Sequence, residues 1–136
     1  FRLRGAELGK RVKEALALVN LKDVEHKRPA QLSYGMQKRV SLARTIALMP
    51  KVLLFDEPTT GLDPITTTAV NFLIKDLSRT LKTTSIVVSH DMRCALEIAD
   101  RIVVLDQGQI VAQGSPEELR NSQVPLVQDF LYEVIE

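Results

Sequence analysis

Leu32-Ser33-Tyr34-Gly35-Met36, Val52-Leu53-Leu54-Phe55-Asp56-Glu57 and Gly61-Leu62-Asp63-Pro64 are the fixed points of the stretch that decides the fold. Between the first two, Met36, Val40, Ala43, Ile46 and Ala47 recur at helical spacing, which predicts a helix over 35–48 ended by Pro50. Lys51 to Asp56 is an apolar run without polar alternation, the pattern of a parallel strand covered on both faces. Asp63 makes a good N-cap and Pro64 a good first helical residue. A glycine turn, a helix, a buried strand ending in two acids and a capped helix together suit phosphate chemistry.

Outward from that stretch the punctuation stays regular. Leu8, Val12, Ala15, Leu16 and Val19 predict a helix over 6–19, followed by a connector over 21–30. The third helix, begun at Asp63-Pro64, runs to about Leu81 through Val70, Leu73, Ile74 and Leu77. Ser85-Ile86-Val87-Val88-Ser89 is a second buried strand, rich in β-branched residues. A short helix over 91–99 follows. Asp106-Gln107-Gly108 reads as the tight turn of a hairpin between strands over 101–105 and 109–112. Ser115-Pro116-Glu117-Glu118 is a helix start, with an N-cap hydroxyl, a first-turn proline and first-turn acids. A last amphipathic segment covers 126–135. Strands alternating with helices and then a hairpin give an α/β class with a mostly parallel sheet. Residues 1–50 are strand-poor and read as a helical subdomain, with 51–136 carrying the sheet.

At 136 residues and 45% hydrophobic content, the chain has the size and apolar stock of one domain. Its net charge of +1 conceals an asymmetry, because residues 1–50 carry 11 basic and 4 acidic side chains. These basic residues are spread along helical patterns rather than gathered in an arm, so no nucleic-acid partner is expected. One cysteine, Cys94, excludes an internal disulfide, and no Cys/His spacing suggests a metal. An intracellular compartment is the default. No apolar run is long enough to span a bilayer and no signal peptide is visible.

Each candidate group has an ordinary alternative. Asp56 and Glu57 close a parallel strand, where ligands of such sheets bind; the first could hold Mg²⁺ and the second orient a water. Polar residues also simply end strands. His90, after the second strand, could reach the same crevice and touch a terminal phosphate, or be solvated. Ser33 and the backbone N–H groups after it could form an anion site at a helix start, or be a plain N-cap.

Taken in order, Leu32-Ser33-Tyr34-Gly35-Met36-Gln37, Leu53-Leu54-Phe55-Asp56-Glu57-Pro58, Gly61-Leu62-Asp63 and Ser89-His90-Asp91 resemble the ATP-binding-cassette (ABC) ATPase family across nearly the whole chain. The resemblance implies a partial P-loop NTPase fold, with 51–136 the carboxy-terminal part of its nucleotide-binding core. It implies ATP and Mg²⁺ as cofactors. Ser33, Gly35 and Gln37 would belong to the signature motif and Asp63 to the D-loop. Asp56 would be the Walker B metal-binding aspartate, Glu57 the catalytic glutamate and His90 the switch histidine. Two such subunits sandwich ATP head to tail, so Ser33 and Gly35 would act on the partner's nucleotide. Tyr34 and Met36 depart from the LSGGQ pattern, and Tyr34 brings a Cβ and a ring where the family's glycine lets backbone approach phosphate.

The implied role is the ATP-hydrolysing subunit of a transporter, peripheral on the cytoplasmic face of the membrane and bound to permease subunits. Met36, Asp63-Pro64-Ile65-Thr66 and the ending Gly114-Ser115-Pro116-Glu117-Glu118-Leu119 with Val127-Gln128-Asp129-Phe130-Leu131 further resemble Mce/Mla-type lipid-transporter ATPases, implying a lipid-binding Mce-type partner. A soluble ABC ATPase of DNA repair or translation is one alternative, and a non-catalytic cassette is another. No G-x-x-x-x-G-K-[ST] occurs among the six glycines. The family places that loop upstream, so Phe1 reads as the start of a piece of a longer protein. Such a piece is expected to expose apolar faces, to fold poorly and not to hydrolyse ATP by itself.

Overall fold

The computed structural model describes residues 4–135, and the α/β class holds. The chain packs as two units, one ending at Val88 and the other beginning at Ser89. The first holds α1 (Gly5–Leu18), a 3-10 turn (Pro29–Gln31), α2 (Tyr34–Ile46), β1 (Val52–Asp56), α3 (Pro64–Leu81) and β2 (Thr84–Val88). Both helices predicted in residues 1–50 therefore share a packing unit with the parallel strands. Every helix and strand read from the sequence is present, with ends moved by one or two residues. The 3-10 turn is the addition: Pro29 fixes its first dihedral, and Gln31 Oε1 accepts the Arg28 N–H at 2.8 Å.

β1 and β2 pair in parallel from Val52 opposite Thr84 to Asp56 opposite Val88. Their burial corrects one expectation. Leu53 and Phe55 are buried, but Leu54 is 71% exposed and Ile86 51%. The strands have one covered face. The other face, with Val52, Leu54, Ile86 and Val88, meets no covering layer among the described residues. The buried residues of this unit include Val70, Leu73, Ile74 and Leu77 of α3, all predicted, with Ala43 and Ile46 of α2 and Ala15, Leu16 and Val19. Leu8 and Val12 remain exposed, so only the second half of the α1 stripe is used. α3 is tied to β2 by a hydrogen bond between the Ser78 and Ser85 hydroxyls. It ends on Lys82 in the left-handed conformation, φ 51°, with the Thr83 N–H bonded to the Ser78 carbonyl at 3.0 Å.

The second unit contains α4 (Met92–Ile98), β3 (Ile102–Asp106), β4 (Gln109–Gly114), α5 (Pro116–Arg120) and α6 (Pro125–Ile135). β3 and β4 form the hairpin, turned at Gln107 (φ 45°) and Gly108 (φ 79°), two left-handed residues as a tight two-residue connection requires. Met92, Leu96, Ile102, Val104, Leu119 and Val127 are its core. The Ser115 hydroxyl accepts the Glu118 N–H, and Glu118 Oε2 accepts the Ser115 N–H at 2.7 Å, a closed capping box that holds the Glu118 carboxyl below its ordinary range. A Cβ at Gly114 would lie 2.8 Å from Glu118 Oε2 and 3.0 Å from Leu119 Cδ2, so a larger residue there would push the Glu118 carboxylate out of its capping bond. Among the described residues no helix is long and apolar enough to cross a membrane.

Candidate functional site

Asp56 is the last residue of β1, exposed at the strand's carboxyl end. Glu57 leaves the strand in the left-handed region, φ 47°, a conformation unfavourable for a residue with a Cβ. Its surroundings enforce it. The Glu57 N–H donates to the Val88 carbonyl at 2.9 Å, adding one more rung beyond the parallel ladder. Its carbonyl accepts the Thr60 N–H at 3.3 Å, and its Oε2 accepts the Thr60 hydroxyl at 3.0 Å. The acid pair is therefore presented by a strand end and a closed turn.

Asp63, predicted to cap α3, does so twice over. Oδ1 accepts the Thr66 N–H at 3.0 Å and Oδ2 the Thr66 hydroxyl at 2.6 Å. Those two bonds hold its carboxyl below the ordinary carboxylate value. Thr66 meets the start of α2: a Cβ on Gly35 would lie 3.1 Å from Thr66 Cγ2, so any larger residue there would require Thr66 to shift by a few tenths of an ångström. Tyr34 meets the turn before Asp63, and a Cβ on Gly61 would be 3.5 Å from the Tyr34 hydroxyl. The Tyr34 ring is thus folded against Gly61, with Lys38 Nζ 5.4 Å from its centroid on the same helix.

Ser33 is the N-cap of α2 and accepts the Met36 N–H at 3.3 Å. That bond uses an oxygen lone pair and leaves the hydroxyl proton to donate elsewhere. The first N–H groups of α2 have no partner within the helix, so this end attracts anions. Gln37 is turned to its own chain. Its Nε2 donates to the carbonyls of Pro29 and Leu32, each at 3.1 Å, bracing the loop before Ser33. His90 belongs to the second unit, exposed, two residues past the end of β2 and just before Asp91, the N-cap of α4.

A cleft of about 190 Å³ opens beside the acid pair, lined by Lys38, Ser41 and Thr45 of α2 together with Leu54 and the 55–58 segment. It is smaller than the roughly 300–1,000 Å³ of a complete small-molecule pocket. Sequence reasoning missed the polar edge of α2 and Thr60. Positions 38, 41 and 45 share one helix face, and Thr60 stands three residues after Glu57, so both spacings carried a signal. Among the described residues no three His, Cys, Asp or Glu side chains gather as a metal cage. An exposed strand-end carboxylate beside a second acid fits Mg²⁺ all the same, because that ion keeps waters and takes phosphate oxygens as ligands.

A model of the ABC transporter family matches residues 3–60. The methionine import ATP-binding protein MetN 1 of Pseudomonas putida is 44% identical over 96% of this chain and 39% of its own length. The Fe(3+) ions import ATP-binding protein FbpC 2 of Rhizobium meliloti is 46% identical over 93% of this chain and 32% of its own. The structure of cbiO1 from Clostridium perfringens, part of the ABC transporter complex cbiONQ, superposes with a TM-score of 0.81 at 30% identity, covering 98% of this chain and 56% of that one. The chain spans about two fifths or less of these two sequence relatives. The expectation of lipid transport and an Mce-type partner finds no support here, since these relatives are named for methionine and iron import. The fold is that of the ABC ATPase, and the chain is similar to the ABC transporter ATPase family.

Proposed function

We propose that this chain is a member of the ABC transporter ATPase family and part of an ATP-hydrolysing subunit that drives solute import, and that it carries halves of two different ATP sites. The observation that carries the reading is the acid pair at the end of β1, with Glu57 held at its backbone by Val88 and at its carboxylate by Thr60. Asp56 would hold Mg²⁺, through water or directly, and bound Mg²⁺ would supply neutralisation of phosphate charge. Glu57 is the general base. It takes a proton from the attacking water as that oxygen bonds the γ-phosphorus and the bond to the ADP oxygen breaks. His90, two residues past the end of β2, is the candidate for contact with a terminal phosphate.

The other half lies at the start of α2. Ser33 and Gly35 present a hydroxyl donor and backbone N–H groups to the triphosphate held by a second subunit, in a head-to-tail pair. Gln37 serves that half by bracing the loop that carries Ser33. Asp63, by fixing the first turn of α3 against Gly35, keeps the two halves in register within one subunit. The subunit is peripheral to the membrane and works on permease subunits. Import of a small solute, rather than lipid movement, is the reading that the relatives' names support.

The test is Glu57→Gln in the full protein carrying this chain, assayed for Mg²⁺-dependent ATP turnover and for retained ATP. Turnover is expected to fall at least about 100-fold, as when a general base is lost, with ATP binding preserved. Turnover that survives overturns the assignment of the base. The alternatives fare less well: a non-catalytic cassette would have no need of all three of Asp56, Glu57 and His90 in its sequence, and a soluble repair or translation ATPase has no counterpart among the named relatives.

A further inference from the structure

We propose that Thr60 is a positioning residue for Glu57, fixing the direction from which the carboxylate meets the attacking water. The inference rests on the reading of Glu57 as the general base. A glutamate's terminal torsion is soft, with broad minima, so a base on such a side chain is poorly aimed unless something holds its carboxylate. Here the Thr60 hydroxyl donates to Oε2 at 3.0 Å. Thr60 is itself stiff. It is β-branched, which restricts its first side-chain torsion, and its N–H is bonded to the Glu57 carbonyl at 3.3 Å.

The turn is anchored at both ends. The Glu57 N–H is fixed on Val88 at one end, and the buried Thr59, whose carbonyl accepts the Leu62 N–H at 3.1 Å, fixes the other. Backbone and side chain thus close a ring of two bonds between residues 57 and 60. Glu57 holds this contact from a left-handed backbone conformation, φ 47°. Thr60 is exposed, so a substitution there removes the bond without opening a core cavity.

The experiment uses the full protein, with Thr60→Val, Thr60→Ser, Glu57→Gln and the Thr60→Val/Glu57→Gln double variant. Thr60→Val keeps shape and loses the donor. Its kcat is expected to fall about ten-fold, with KM for ATP within about two-fold, because a misaimed base costs rate and not ground-state binding. Thr60→Ser restores the donor and is expected to return kcat to within about two-fold of the parent. In the Glu57→Gln background, Thr60→Val should change the residual rate by less than about two-fold, since a residue acting through another has nothing left to act on. An unchanged kcat in Thr60→Val, a serine variant as slow as the valine one, or a full ten-fold loss on top of Glu57→Gln overturns the inference while leaving the base assignment intact. A Glu57→Gln protein with ordinary turnover overturns both.

Discussion

Asp63 takes both of its bonds from one neighbour, and Thr66 returns both its N–H and its hydroxyl. The consequence is a pH dependence with a definite sign. The folded carboxyl titrates below its ordinary value of 3.8, so its contribution to stability is complete above that value and is lost as pH falls through the lower folded one. Asn at this position caps a helix nearly as well but does not titrate. Thermal melts of Asp63→Asn between about pH 5 and pH 3 should therefore fall less steeply than those of the parent. Glu118 adds a slope of the same sign from the second unit, so the parent will not be flat even where Asp63 is silent. The cap was legible because Asp-Pro at a helix start has one strong local explanation. The bonds of Thr66 and Thr60 were less so: the spacing of Thr60 from Glu57 carried a signal, but a hydroxyl's partner is set by turn geometry that only the folded backbone displays.

At the scale of elements, α3 is the best specified piece of the chain. Its first residue, its cap and its four-residue apolar stripe all follow from local chemistry, and all are found as read. Its other end is less favourable. Lys82 sits at φ 51° in a position where glycine is usual, because a Cβ in the left-handed region crowds the following carbonyl. Lys82→Gly should raise the unfolding free energy by about 0.5–1 kcal/mol, read as a higher urea midpoint at unchanged slope. β1 teaches the opposite lesson. Its unbroken apolar sequence described a strand with two covered faces, yet Leu54 is 71% exposed. Residue type records the environment a strand is suited to, and says nothing of which chain supplies the cover.

For the whole molecule, that uncovered face decides behaviour in solution. Val52, Leu54, Ile86 and Val88 form an apolar patch on a two-stranded sheet, the kind of surface that draws other apolar surfaces. The 136-residue chain alone should bind an environment-sensitive hydrophobic dye and show no Mg²⁺-dependent ATPase above blank, having no phosphate-cradling glycine loop. Leu54→Gln with Ile86→Gln should cut the dye signal by about half. If the signal is unchanged, the dye reads some other surface, and this patch is not the adhesive one. The order of motifs, by contrast, suggested two half-sites, and the start of α2 lies against the first turn of α3 within one unit.

The pairing of β1 with β2 also sets a kinetic order. The two strands are parallel and separated in sequence by residues 57–83, so they cannot meet until that long loop has been closed. α3 occupies most of it and makes only local contacts within itself, which form far sooner than distant strand pairs. A helix already wound shortens the loop that must be closed. Changes at the Asp63 cap should therefore act on the rate of folding, and changes in the Val52–Asp56 ladder on the rate of unfolding.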